Sequence, residues 1–211
     1  MNDLKLRNFT IGNSQPLTLM GGMNVLESRD LVLQVAEKFK LISDKLEINY
    51  IFKGSFDKAN RSSVSSFRGP GMDEGLKLLQ EVSTEFNVPV VTDIHEPDQA
   101  KPVSEVCEVV QIPAFLARQT DLVVAAAKTD AILQFKKPQF LSAPEMKNII
   151  EKCESAGNSK ITLCERGNSF GYNNLVVDTL NFQILKNLGK PTILDATHSL
   201  QLQGGLGNAA G

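Results

Sequence analysis

Short apolar runs alternate with longer amphipathic stretches along the whole chain. The runs fall at residues 17–20, 48–52, 88–92, 106–112, 131–135, 161–164 and 192–194. They are short, mostly uncharged and rich in β-branched residues, which is the pattern of strands buried on both faces in a parallel sheet. Apolar positions recur at helical spacing between them, over 28–46, 73–86, 119–128, 144–156 and 174–188. Pro144 near the start of one such stretch and Gly157 just past its end match the usual helix start and stop signals. Residues 4–11 alternate as a hairpin does, with Gly12-Asn13 near the turn, and we place that hairpin as a cap over the N-terminal ends of the strands.

Seven strands about thirty residues apart predict an α/β fold of the (β/α)8 TIM-barrel kind rather than a doubly wound sheet. No linker or low-complexity segment divides the chain. One domain over 1–211 is expected: a hairpin at 1–14, seven strands and their helices at 16–200, and a glycine-rich loop at 201–211. The count is one short of eight. The end of the seventh βα unit and the eighth unit are therefore expected to be missing, leaving unpaired edges on the first and seventh strands.

Composition narrows the function. The chain has 211 residues, 42% hydrophobic and 22% charged, which suits one sizeable core. Its 22 Lys and Arg against 24 Asp and Glu give a formal charge of -2, too balanced for a partner such as nucleic acid or a membrane surface. Three cysteines, Cys107, Cys153 and Cys164, show no metal or redox spacing. With no apolar signal core at the start and no run near membrane-spanning length, a cytoplasmic protein is expected.

Active sites of such barrels sit where the strands end. Cations follow the second strand (Lys53, Lys58, Arg61), the fourth (Arg118), the fifth (Lys136, Lys137) and the sixth (Arg166). A nearly neutral chain that gathers cations at one mouth is suited to hold anions there. The competing reading of any one of them is a structural ion pair with Asp57, Asp93, Glu96 or Glu165. Both histidines, His95 and His198, also lie at strand ends. His95, His198 and Cys164 could meet, yet no close-spaced ligand motif supports a metal site.

The segments 52–63 (FKGSFDKANRSS), 67–71 (FRGPG), 92–96 (TDIHE), 111–121 (QIPAFLARQTD), 136–140 (KKPQF), 164–167 (CERG) and 195–201 (DATHSLQ) closely resemble the 3-deoxy-D-manno-octulosonate 8-phosphate synthase family. The likeness spans essentially the whole chain. It implies condensation of phosphoenolpyruvate with D-arabinose 5-phosphate and water, a step in lipopolysaccharide core synthesis, by a homotetramer. By this resemblance Lys58, Lys136 and Arg166 hold phosphoenolpyruvate, with Gln111, Ala114 and Gln139 lining its pocket. Asn60, Arg61 and Ser62 hold the sugar phosphate, bordered by Asn24 and Lys53, while Arg118 reaches a neighbouring subunit's site. Lys53, Asp93 and His198 surround the aldehyde and water, and His198 or Lys53 supplies the proton. The family has a metal-binding branch with Cys where this chain has Asn24, so neither a metal nor another cofactor is expected. Gly54 and Asp130 replace residues more usual in the family. The alternatives are the sister synthase making 3-deoxy-D-arabino-heptulosonate 7-phosphate, or a shortened barrel that binds phosphoenolpyruvate without turnover.

Overall fold

The structure, a computed structural model, describes residues 3–202. Of the loop expected over 201–211, residues 203–211 lie outside them. Strands β1 (Leu4–Leu6) and β2 (Phe9–Ile11) form an antiparallel hairpin. Then follow β3 (Thr18–Met23), α1 (Arg29–Lys45), β4 (Asn49–Gly54), α2 (Met72–Glu85), β5 (Val90–Asp93), α3 (Ala100–Val106) and β6 (Val109–Ile112). The second half runs α4 (Thr120–Ala127), β7 (Ile132–Lys136), α5 (Met146–Ser155), β8 (Ile161–Glu165), β9 (Asn168–Phe170), β10 (Asn174–Val176), α6 (Leu180–Asn187) and β11 (Thr192–Leu194).

Seven strands pair in parallel in the order β11-β8-β7-β6-β5-β4-β3. The sheet curls in the manner of a TIM barrel. Strand alternation sorts the side chains into two environments. Phe52, Val90, Val110, Leu133, Phe135, Ile161 and Leu163 face the helices and join Val32, Leu79, Val82, Val103, Val123 and Ile149 in the main core. Ile51, Val91, Val109 and Ile132 face the other way and cluster with Leu4, Leu6 and Ile11 of the hairpin. Two residues further along the same inward rows stand Lys53, Asp93, Gln111 and Gln134, so the interior is apolar towards the strand starts and polar towards their ends. Strands β3 and β11 end the sheet and are only part-buried, whereas β5, β6 and β8 are buried throughout. Near the base Asn13 joins the two edges: its amide donates to Lys190 O at 2.9 Å, and its Oδ1 accepts from Thr192 N at 2.9 Å.

Three expectations change. The hairpin turns at Arg7-Asn8, with Arg7 at φ 49°, and Gly12-Asn13 lies beyond it. The run 106–112 splits: Val106 closes α3, and β6 begins only at Val109, because an apolar run reads alike across a helix end and a strand start. The stretch 174–188 also splits, since Asn174–Val176 pairs with Asn168–Phe170 as a second hairpin and the helix begins at Leu180. Elsewhere the signals hold. Ser28 caps α1, accepting from Leu31 N at 3.4 Å. A capping box between Ser142 and Glu145 precedes α5, and Gly157 follows it at φ 104°.

One glycine tests the packing. A methyl group on buried Gly75 of α2 would stand 2.3 Å from the Phe56 Cβ. Alanine in a helix interior would gain about 1 kcal/mol over glycine by propensity. Overpacking a full core costs about 1–3 kcal/mol. Gly75→Ala is therefore expected to lower the denaturation midpoint, and a rise would show that α2 is loosely seated.

Candidate active site

The strand ends deliver two charged clusters to one cavity. The first is built on Asp93, the last residue of β5. Lys53 Nζ lies 3.1 Å from its Oδ1, Lys58 Nζ 3.5 Å from its Oδ2 and His95 Nε2 3.4 Å from its Oδ2. Ser55 knits the group, accepting from Lys53 at 2.6 Å and from Lys58 at 2.7 Å while donating to Asp93. The second is built on Asp195, just past β11. Lys136 Nζ is 2.6 Å from its Oδ2, and His198 Nδ1 is 2.8 Å from the same oxygen. The backbone N–H groups of Thr197 and His198 donate to Asp195 Oδ1 at 3.1 and 2.9 Å.

A cavity of about 730 Å³ joins the clusters, lined by Asn24, Lys53, Lys58, Gln111, Lys136 and His198, with Asp195, Gln134 and Cys164 among the others. It runs between the two edge strands, with β3 on one side and 193–198 on the other. Arg166, two residues past cavity-lining Cys164, is buried and feels the Asp195 charge. Among the described residues its Nε and Nη1 have no hydrogen-bond partner, nor do the side-chain oxygens of Gln134 and Gln139. A buried guanidinium with open donors beside a cavity is suited to receive an anion.

The electrostatics point the same way. Burial tends to raise the Asp93 carboxyl, but Lys53, His95 and Lys58 hold it well below the usual range. Asp195 is likewise held far down, against burial, by His198 and Lys136. Burial pushes Lys53 below the ordinary lysine value, opposed by Asp93. Burial and the adjacent Lys53 bring Lys58 down to about 8. Four cations, Lys53, Lys58, Lys136 and Arg166, thus face two carboxylates, an excess that an incoming anion relieves.

The remaining sequence candidates are placed differently. Ala114 and Gln139 are buried near the ends of β6 and β7, outside the cavity lining. Asn60, Arg61 and Ser62 sit exposed on a loop whose neck is closed by Lys58 N donating to Arg68 O at 2.7 Å and by the Arg68–Asp57 ion pair. Arg61 donates to Phe67 O at 3.1 Å. Arg118 is exposed and does not line the cavity; its carbonyl accepts from Lys152 of α5 at 3.1 Å. Lys137, grouped by sequence with the mouth cations, pairs instead with Glu165 on the far side of the sheet, at 3.4 Å. Sequence reasoning gave no role to Ser55 or Asp195. The signals were Ser55 two residues after Lys53, and an acid three residues before His198.

Lys58 gives a pH prediction. It must be protonated to hold an anion, so kcat/KM for an anionic substrate is expected to fall as pH rises through about 8. The limiting slope is about tenfold per pH unit. Lys58→Arg should move that limb to higher pH, because a guanidinium keeps its proton. A profile flat through this range would contradict the placement.

Residues 3–209 match the family described as the DAHP synthetase I family. The chain is 60% identical to the 2-dehydro-3-deoxyphosphooctonate aldolase of Hahella chejuensis (strain KCTC 2396), 59% to that of Pseudomonas putida (strain GB-1) and 58% to that of Pseudomonas aeruginosa (strain UCBPP-PA14). Each match covers 208 residues, 99% of this chain and 74% of the relative.

Proposed function

We infer that this chain, which belongs to the DAHP synthetase I family, joins phosphoenolpyruvate to D-arabinose 5-phosphate and water, giving 3-deoxy-D-manno-octulosonate 8-phosphate and inorganic phosphate. One observation carries the reading: Lys53, Lys58 and Lys136 share a cavity, and Arg166, two residues past its Cys164, is buried with open donors. The two substrates bring two phosphates and a carboxylate, which that excess of cations matches. The relatives' name, a phosphooctonate aldolase, accords with an eight-carbon product. The run 58–63 and these relatives favour the octulosonate over the seven-carbon product of the sister synthase.

In this reading Lys58, Lys136 and Arg166 hold phosphoenolpyruvate, with Gln111, Ala114 and Gln139 around it. Asn60, Arg61 and Ser62 fold in from their loop onto the sugar phosphate. Fixed cations bring two mutually repelling anions together and keep them in reacting geometry. Carbon 3 of the enol attacks the aldehyde, and positive charge develops at carbon 2. Water adds there, and the resulting hemiketal phosphate expels phosphate. Lys53 and Lys136 stabilise charge on the aldehyde oxygen and on the departing phosphate. His198 or Lys53 gives that oxygen its proton, and Asp93 and Asp195 orient the two donors.

Finer features belong to the same proposal. The hairpin β1–β2, packed on Ile51, Val91 and Val109, serves as a floor under the cavity. Arg118, exposed and outside the lining of its own cavity, serves a neighbour's site in a homotetramer. Asn24 borders the cavity where a thiolate would serve a divalent metal, so no metal is required. Activity is expected to survive exhaustive chelation, and loss restored by manganese or zinc would overturn that point. Phosphorylated substrates and three free, buried cysteines support a cytoplasmic setting. Among the described residues no helix is long and apolar enough to cross a membrane.

The test is phosphate release by this 211-residue chain with both substrates present. D-arabinose 5-phosphate should outcompete erythrose 4-phosphate. Preference for erythrose 4-phosphate would favour the sister synthase, and tight phosphoenolpyruvate binding without phosphate release would leave a binding protein.

A further inference from the structure

Two adjoining residue pairs end neighbouring strands: Lys136-Lys137 at β7 and Glu165-Arg166 at β8. Those strands pair in parallel, Lys136 beside Cys164. Alternation sends one member of each pair to either side of the sheet. Lys136 lines the cavity, and Arg166 follows cavity-lining Cys164 by two residues. Lys137 and Glu165 take the opposite side, where both side chains are 0% exposed and Nζ lies 3.4 Å from Oε1.

The carboxylate is fully engaged. Glu165 Oε1 also accepts from the backbone N–H of Arg166 at 2.9 Å and of Gly167 at 2.6 Å. Its Oε2 accepts from the Asn181 amide of α6 at 2.9 Å. Lys137 donates to Asn168 Oδ1 at 2.7 Å and to Leu141 O at 3.4 Å, and Asn168 donates to the same Leu141 carbonyl at 2.9 Å. The loops after β7 and β8 and the start of α6 therefore meet at one ion pair. Gly167, at φ 93°, turns the chain immediately past these two N–H groups, a left-handed conformation that favours glycine.

Burying such a pair gains little stability over a well-packed apolar pair of the same volume. What an apolar pair cannot do is accept the N–H groups of the residue that carries the guanidinium. We propose that the Lys137–Glu165 pair is a positioning device for the anion site, setting the direction of Arg166 and its spacing from Lys136. The proposal rests on the reading of that site as the phosphoenolpyruvate pocket. It predicts an effect confined to one substrate, since Asn60, Arg61 and Ser62 lie on a separate loop.

The test compares the wild-type chain with the double variant Lys137→Met/Glu165→Met, which removes both charges together, and with Glu165→Gln, which keeps an acceptor for the N–H groups. Thermal melts report folding, calorimetry reports phosphoenolpyruvate affinity, and kinetics report the KM for arabinose 5-phosphate. The double variant is expected to fold and to bind phosphoenolpyruvate about tenfold more weakly or worse, with the sugar KM within about twofold of wild type. Glu165→Gln should fall between the two. A folded double variant with wild-type phosphoenolpyruvate affinity, or equal losses for both substrates, would overturn the proposal. If the double variant does not fold, Glu165→Gln decides: a phosphoenolpyruvate-selective loss supports the proposal, and no loss or an equal loss removes it. A wild-type chain that binds no phosphoenolpyruvate would remove the site reading and this inference together, whereas the other contrary outcomes leave the site reading standing.

Discussion

Lys136→Met is expected to lower kcat/KM for phosphoenolpyruvate about a thousandfold, because breaking a buried charge pair costs about 3–5 kcal/mol and each 1.4 kcal/mol is about tenfold. Methionine keeps the stem of the side chain, so the cavity wall stays filled and the charge alone is lost. Lys136 is 13% exposed and lies 2.6 Å from Asp195, with His198 at 3.4 Å. Without it Asp195 keeps His198 as its side-chain hydrogen-bond partner, with the N–H groups of Thr197 and His198, and the anion loses a cation on that side. Steady-state kinetics with each substrate varied in turn would check this. A loss smaller than about fivefold would mean that Lys136 balances Asp195 and nothing more.

Asp93→Asn should have the next largest effect, about a hundredfold on kcat/KM near neutral pH and more in alkali, since a lost charge-assisted contact costs about 1.5–3 kcal/mol. Asp93 is the shared counter-charge of Lys53, Lys58 and His95. The amide removes that charge, and the two lysines are left repelling each other. Losing an anionic neighbour favours the neutral amine, so the alkaline limb assigned to Lys58 must move to lower pH. The direction is the sharp part of this prediction. A variant whose limb stays put or moves to higher pH would show that Asp93 does not hold these lysines charged.

Much of this arrangement was legible in the sequence, because period-2 alternation in a parallel strand is a strong constraint. It assigns Lys53, Asp93, Gln111 and Gln134 to the inner row two residues beyond Ile51, Val91, Val109 and Ile132, and Lys136 two further still, and the inner row holds them. The same rule would have turned Lys137 away from the mouth. A count of cations by strand end hides this, because Lys136 and Lys137 are adjacent in sequence yet take opposite sides of the sheet. Asp195 escaped for another reason. Past β11 the chain enters a single 3-10 turn over His198–Leu200, where strand alternation no longer says which side chains meet. The hairpin at Asn168–Val176 also escaped, since Val176, Leu180 and Ile184 recur at helical spacing across the hairpin and α6. Arg118 shows the limit of reading by strand end: the loop after β6 carries it to the outside, which no local pattern records.

A crystal structure of the 211-residue chain with phosphoenolpyruvate bound tests the central claim most directly. The account predicts phosphate and carboxylate oxygens within about 3 Å of Lys58, Lys136 and Arg166, between the Asp93 and Asp195 clusters. Ligand bound elsewhere, with those three cations still occupied only by protein carboxylates, would contradict it.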